Sequence, residues 1–185
     1  MDSLQGHLLI ASQGLLDPNF AQTVVLIAVH AEEGALGLIL NRETTMPLQQ
    51  IWTQVKPSAC LREGNVWHGG PVGGTLMALH DQRVLANLVV TDELFVATEL
   101  DAMELLAADD DGQGRFYVGH SGWGPGQLEN ELAEGSWLVM PATLDHVFSA
   151  LDSLAAWKQA MVEFGRRQIQ SVIPIRHMPD NPRLN

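Results

Sequence analysis

Apolar, β-branched segments recur at short intervals along the chain: His7 to Ala11, Thr23 to His30, Gly34 to Asn41, Thr75 to His80, Val84 to Val90, Leu94 to Ala97, Arg115 to Val118 and Ser136 to Met140. Runs of this length and composition predict strands. Glu32-Glu33-Gly34 separates two of them and predicts a hairpin turn, with glycine accepting the positive φ of a short connection. Short links make neighbours antiparallel, because a parallel pair needs a crossover of about a dozen residues or more.

Helical spacing is concentrated toward the C-terminal half. Thr98 followed by Asp101 reads as a capping box ahead of a face formed by Leu100, Met103, Leu106 and Ala107. Pro47 is placed to open a short helix carrying Leu48, Ile51 and Trp52. Asp152 or Ser153 is expected to cap a further helix, whose stripe of Leu154, Trp157, Met161 and Phe164 ends at Gly165. Asp109-Asp110-Asp111-Gly112 reads as a solvated turn, and Met178 to Asn185, with Pro179 and Pro182, as an irregular tail. No repeat or linker divides the rest, so the expectation is one domain over residues 1–177 and a tail over 178–185.

Composition supports that reading. The chain has 185 residues, 46% of them hydrophobic, ten basic and 22 acidic side chains and a net charge of −12. Its length is that of one domain of roughly 100–200 residues. Such a chain hides roughly 70% of its unfolded surface without help from metals or disulfides. Cys60 is the single cysteine, which excludes an intrachain disulfide and fits a reducing compartment. The longest apolar run, Val24 to Val29, falls far short of the ~20 residues that span a bilayer. The first residues lack the basic start and apolar stretch of a secretory signal, so a cytoplasmic location away from the membrane is expected.

The charge is uneven. Residues 1–156 hold Arg42, Lys56, Arg62, Arg83 and Arg115 against twenty acidic side chains, whereas Lys158, Arg166, Arg167, Arg176 and Arg183 outnumber Glu163 and Asp180 beyond. So acidic a body repels phosphate backbones, and no segment has the form of a helix-turn-helix with basic side chains for a groove. Direct sequence-specific DNA binding is therefore not expected. Arg166 and Arg167 are read as complements to a helix dipole.

Three segments invite catalytic readings. Gly119-His120-Ser121-Gly122-Trp123 begins like a nucleophile elbow, but Trp123 puts an indole where the turn needs glycine. Gly69 and Gly74 have the first spacing of a phosphate-binding loop, but Thr75 stands where its lysine belongs. Seven histidines show no His-Glu-x-x-His pair, and one cysteine cannot build a thiolate zinc cluster, so neither a metal nor another cofactor is assigned.

Gly6 to Ala11, Leu16-Asp17-Pro18-Asn19-Phe20 with Thr23 to Ile27, His30, and Gly34 to Arg42 resemble the opening of the AlgH/YqgE family. His68-Gly69-Gly70-Pro71-Val72 is similar to the family's central glycine-proline turn, and Gly122 to Glu129 to its most distinctive motif. The resemblance covers about residues 4–140 and implies a single α+β domain, a strongly curved, mainly antiparallel sheet approaching a barrel and flanked by helices. It implies no known reaction or cofactor; its members are bacterial proteins often labelled transcriptional regulators. Gln13 and Gln22 depart from the family pattern, as does the stretch from about Gln168 onward.

The resemblance and the residues together nominate ligand- or partner-binding candidates: His68, Gly69, Gly70, Pro71, Trp123, Pro125, Gly126, Gln127 and Glu129. Free amides in the Gly124 to Gln127 loop suit an anion or a partner's backbone, with Trp123 as an apolar wall. The structural alternative makes Trp123 an anchor and Gln127 a partner for nearby amides. Both glycine-rich segments are expected side by side at one end of the sheet. A non-enzymatic binding or regulatory module is the first functional reading; an enzyme using His68, Ser121 and Gln127 is its rival.

Overall fold

The computed structural model describes residues 2–109, 112–148 and 153–172. Its strands are β1 (His7–Ala11), β2 (Val24–Ala31), β3 (Gly34–Ile39), β4 (Glu43–Pro47), β5 (Asn65–His68), β6 (Val72–His80), β7 (Leu88–Val89), β8 (Phe95–Ala97), β9 (Gly114–Trp123) and β10 (Trp137–Pro141). The helices are α1 (Leu48–Val55), α2 (Leu100–Ala108), α3 (Gln127–Ala133), α4 (Leu144–Phe148) and α5 (Ser153–Val172). The main path of the sheet runs β10-β1-β2-β3-β9-β6-β8-β7, and β4 joins through β5, which pairs with β9 in parallel while the other pairs are antiparallel. This is a single α+β domain built on a curled, mainly antiparallel half-barrel.

The near-continuous apolar character of β1 to β3 has a direct cause: both faces of the sheet are covered. Side chains alternate across a strand. Leu8 and Ile10 enter one core with Leu26, Leu38, Leu79 and Tyr117, on the concave side closed by α5. Leu9 and Ala11 enter a second core with Val25, Ile27, Trp123 and Trp137, beneath α3. A third core, Trp52, Val66, Ala78, Met103, Leu106 and Phe116, sits under α1 and α2. Curling brings the path's far ends together, so that Gln5 Nε2, just before β1, donates to the carbonyl of Val89 in β7 at 2.8 Å. Trp157 of α5 is buried, and its indole donates to the Ala11 carbonyl at 2.8 Å.

Several expectations need correction. Val84 to Val90 is not one strand: Arg83–Leu85 forms a 3₁₀ turn, Val84 is 90% exposed, and only Leu88–Val89 pairs at the sheet edge. The capping box at Thr98 is absent. Glu99 is the N-cap of α2 and makes no side-chain cap bond, because Asn87 Oδ1 accepts from the amides of both Thr98 and Glu99. Arg115 to Val118 extends through Trp123, so His120 and Ser121 lie mid-strand and not at a strand-to-helix elbow. The strand expected from Thr75 begins at Val72.

α5 passes through Gly165 to Val172, braced by the Glu163–Arg167 pair one turn apart, and Leu154 faces solvent. Two short strands, the mostly exposed β4 and β5, which buries only Val66, escaped the hydrophobic pattern. The expected boundary at residue 177, the tail over 178–185 and the cap at Asp152 lie outside the described residues.

Candidate functional site

β4 and β5 build a groove. The amide of His68 donates to the Arg42 carbonyl at 2.8 Å, which sets Arg42, just ahead of β4, beside the last residue of β5. Trp67 precedes His68 and is half-buried, while the His68 side chain is exposed. With Asn19, Asn41, Glu43 and Ser153 they line an open groove of about 610 Å³.

The loop that carries Asn19 is held by two neighbouring side chains. Arg42 Nη2 donates to the Pro18 carbonyl at 3.0 Å. Asn41, 2% exposed, accepts from the Val24 amide and donates to the carbonyls of Gln22 and Ser153. Burial lowers the Arg42 pKa from its ordinary value, opposed by the charge of Asp17. Arg115 lies over the Trp67 ring with its guanidinium carbon 4.1 Å from the centroid, and its Nη1 donates to the Val147 carbonyl at 2.6 Å. That cation–π contact fixes the tryptophan from beneath. Arg115 also borders a second hollow, shared with Glu43 and Trp67, beside the groove.

The central glycine-proline turn lies against β9. A Cβ on Gly69 would stand 2.2 Å from the Gly119 carbonyl oxygen, and one on Gly70, whose φ is +151°, would stand 2.3 Å from the backbone of His120 and Ser121. Ser121 is fully buried and its Oγ donates to the Gly69 carbonyl at 3.1 Å. Gly69 and Gly70 are buried too, while Pro71 is exposed at the bend into β6.

Further along β9 the chain enters the second distinctive motif. Trp123 is 4% exposed, stacks on Phe20 at 5.8 Å between centroids, and meets Trp137 edge-on. Its indole donates to Glu131 Oε2 at 2.9 Å, and the Trp137 indole donates to the same oxygen at 2.7 Å. This packing makes Trp123 an anchor and leaves it no role as the wall of a depression. Gly126 takes the left-handed conformation at the head of α3, and Gln127 accepts from the Gly124 amide and donates to Glu131. Pro125 is exposed in this bend. Glu129 pairs with His30 Nε2 at 2.9 Å, while His30 Nδ1 accepts from the Leu4 amide.

The first glycine-rich segment thus packs on β9 at Val118 to Ser121, just before the second segment begins, and the polar side chains of the two diverge. His68 lines the groove; no residue from 122 to 129 does. Asn19, Asn41 and Arg42 were visible only as members of family motifs, and Trp67 only as the neighbour of His68. The signal that could have found them is the strand pair: a polar β4 opposite β5 puts Arg42 beside His68. Among the described residues no group of three or more His, Cys, Asp or Glu side chains is placed to hold a metal ion. No helix there is long and apolar enough to cross a membrane.

Fold and groove together define a class: an α+β half-barrel that presents an open polar cleft beside a tightly packed glycine-proline turn. A family model described as AlgH-like matches residues 8–168, and the chain belongs to that family. It is 35% identical to a UPF0301 protein of Idiomarina loihiensis, over 89% of this chain and 93% of the relative. It is 34% identical to another UPF0301 protein, from Streptomyces coelicolor, over all of this chain and 97% of that one. The solution structure of the AlgH protein from Pseudomonas aeruginosa superposes with a TM-score of 0.75 at 31% identity, covering 95% of this chain and 96% of the other. A crystal structure from Corynebacterium diphtheriae, 23% identical, shares the fold at a TM-score of 0.71, over 97% of this chain and 90% of that one.

Proposed function

We propose that this protein is a non-enzymatic binding module of the cytoplasm that acts in regulation through a small ligand or a protein partner, and that it binds in the groove beside Arg42, Trp67 and His68. The observation that carries the reading is the groove itself. Its volume of about 610 Å³ falls within the ~300–1,000 Å³ of small-molecule sites, and it joins an aromatic surface to several polar side chains.

The rival reading, an enzyme using His68, Ser121 and Gln127, is weakened by how those groups are engaged. Ser121 is buried with its hydroxyl on a backbone carbonyl, and Gln127 is occupied by Gly124 and Glu131. The turn from Gly69 to Pro71 then serves as a rigid support next to His68, and the segment from Trp123 to Glu129 anchors α3 on the second core, away from the groove. A thermal-shift screen against a metabolite library tests the proposal, since a ligand at 100 times its dissociation constant stabilises by ~2.7 kcal/mol. A stabilising compound that loses its effect in Arg42→Ala supports the groove. Stabilisation unchanged by that substitution places binding elsewhere.

Direct sequence-specific DNA binding is not part of this reading. A gel-shift titration at low salt is expected to give no discrete complex. Nanomolar binding that weakens steeply with salt would overturn that expectation and turn attention to Arg166 and Arg167.

A further inference from the structure

The acidic body up to residue 156 has five basic side chains, and most have a fixed employment. Lys56 pairs with Glu104 and Asp101. Arg62 is 6% exposed and donates to the carbonyls of Leu106 and Asp109, where α2 ends. Arg83 lies over Phe95, and Arg115 over Trp67. Arg42 differs from these. One of its five N–H donors goes to Pro18, and no carboxylate of the described residues lies within salt-bridge distance of it. A partly desolvated guanidinium with spare donors, lining one groove with an exposed imidazole and an aromatic ring, has the composition of an oxyanion site.

We infer that the groove binds a small molecule through a phosphate or carboxylate group held between Arg42 and His68, with the rest of the ligand against Trp67. The inference rests on the binding reading above and adds the chemistry of the ligand. Glu43, which also lines the groove, accepts from Asn65 Nδ2 at 3.3 Å and adds a negative charge to it. That charge and the net −12 of the chain act against a polyanion and favour a compact ligand with one anionic group and hydrogen-bond donors elsewhere.

The test uses ¹H–¹⁵N spectra of the full chain titrated with sodium phosphate, sodium benzoate, a short single-stranded oligonucleotide, or sodium chloride at matched ionic strength. Phosphate or benzoate is expected to give saturable shifts at the amides of Asn19, Arg42 and His68 and at the Trp67 indole, with none from chloride. Arg42→Gln is expected to weaken the binding at least fivefold and His68→Gln at least twofold. The second variant keeps the test decisive if the first loosens the Pro18 loop, because the His68 side chain makes no hydrogen bond among the described residues.

Shifts equal in chloride, saturable shifts elsewhere alone, or both variants binding as well as the parent would overturn the inference. Oligonucleotide binding at the same four residues, tighter than phosphate, would overturn the small-molecule assignment. A neutral compound from the thermal screen that moves these signals while both anions fail would overturn the oxyanion and leave the groove reading standing. If neither the anions nor any screened compound moves them, the groove reading falls as well.

Discussion

Asn41 holds Gln22 in place: its Nδ2 donates to the Gln22 carbonyl at 2.9 Å, and Gln22 is the non-glycine residue with a left-handed backbone, φ +58°, among the described residues. A left-handed non-glycine residue costs about 1–2 kcal/mol, so the conformation persists because its surroundings impose it. The same carboxamide ties Val24 and Ser153, joining the start of β2 to the start of α5.

Asn41→Ala is expected to lower stability by about 2–4 kcal/mol, because a buried amide and two carbonyls lose their partner together. Gln22→Gly should leave stability unchanged or raise it by up to about 1 kcal/mol, strain relief being offset in part by glycine's unfolded-state entropy. Urea unfolding of both variants measures the contrast. An Asn41→Ala loss below 1 kcal/mol would mean that the loop is held by something else.

Glu131 organises the aromatic cluster, since one carboxylate oxygen accepts from two indoles. Glu131→Gln is expected to cost about 1–3 kcal/mol, as charge-assisted bonds become neutral ones. Trp123→Ala should cost about 3–5 kcal/mol as a buried large-to-small change. Chemical denaturation followed by far-UV circular dichroism reads both. A Trp123→Ala protein as stable as the parent would contradict the anchoring role.

Gly69 and Gly70 tolerate no side chain, because a Cβ at either would overlap the β9 backbone. Gly70→Ala is expected to destabilise by more than about 3 kcal/mol, combining overpacking with strain at positive φ. Gly73→Ala is the control in the same turn region, with open space around its added methyl. Matched melting curves that fail to separate the two would refute the close-approach argument.

His80 gives the fold a weakness in acid. It is fully buried, Nε2 has no hydrogen-bond partner among the described residues, and burial lowers its pKa from 6.5 to about 4. Between those values the unfolded chain binds a proton that the folded chain refuses. Its contribution is therefore intact above pH 6.5 and lost as pH falls toward 4, by about 3 kcal/mol in total. Urea titrations from pH 7 to 4 should show a shallower decline in His80→Gln than in the parent. Identical slopes would show that His80 is not the group responsible.

How much of this was legible in the sequence depended on what each segment buries. β1 spans His7–Ala11 as the pattern required, since both its faces are apolar and only a strand pairs with β2 and β10 at once. The segment after Val84 misled because hydrophobicity cannot report that Asn87 spends its side chain on the Thr98 and Glu99 amides. The groove was half legible. His68 could be named from its turn, but Arg42 acquires its place from the short pairing of a mostly exposed β4 with β5, and periodicity weighs only what is buried.

The pairing of β1 with β10 also has a consequence in time. About 125 residues separate Ala11 from its partner Trp137, so at ribosomal rates of ~5–20 residues per second the edge of β1 stays open for roughly 6–25 s after it is made. During that interval Leu8, Leu9 and Ile10 have β2 on one side and nothing on the other. A nascent chain arrested before residue 137 should therefore be the species that trigger factors and other holdases recognise, and release from them should coincide with the emergence of β10.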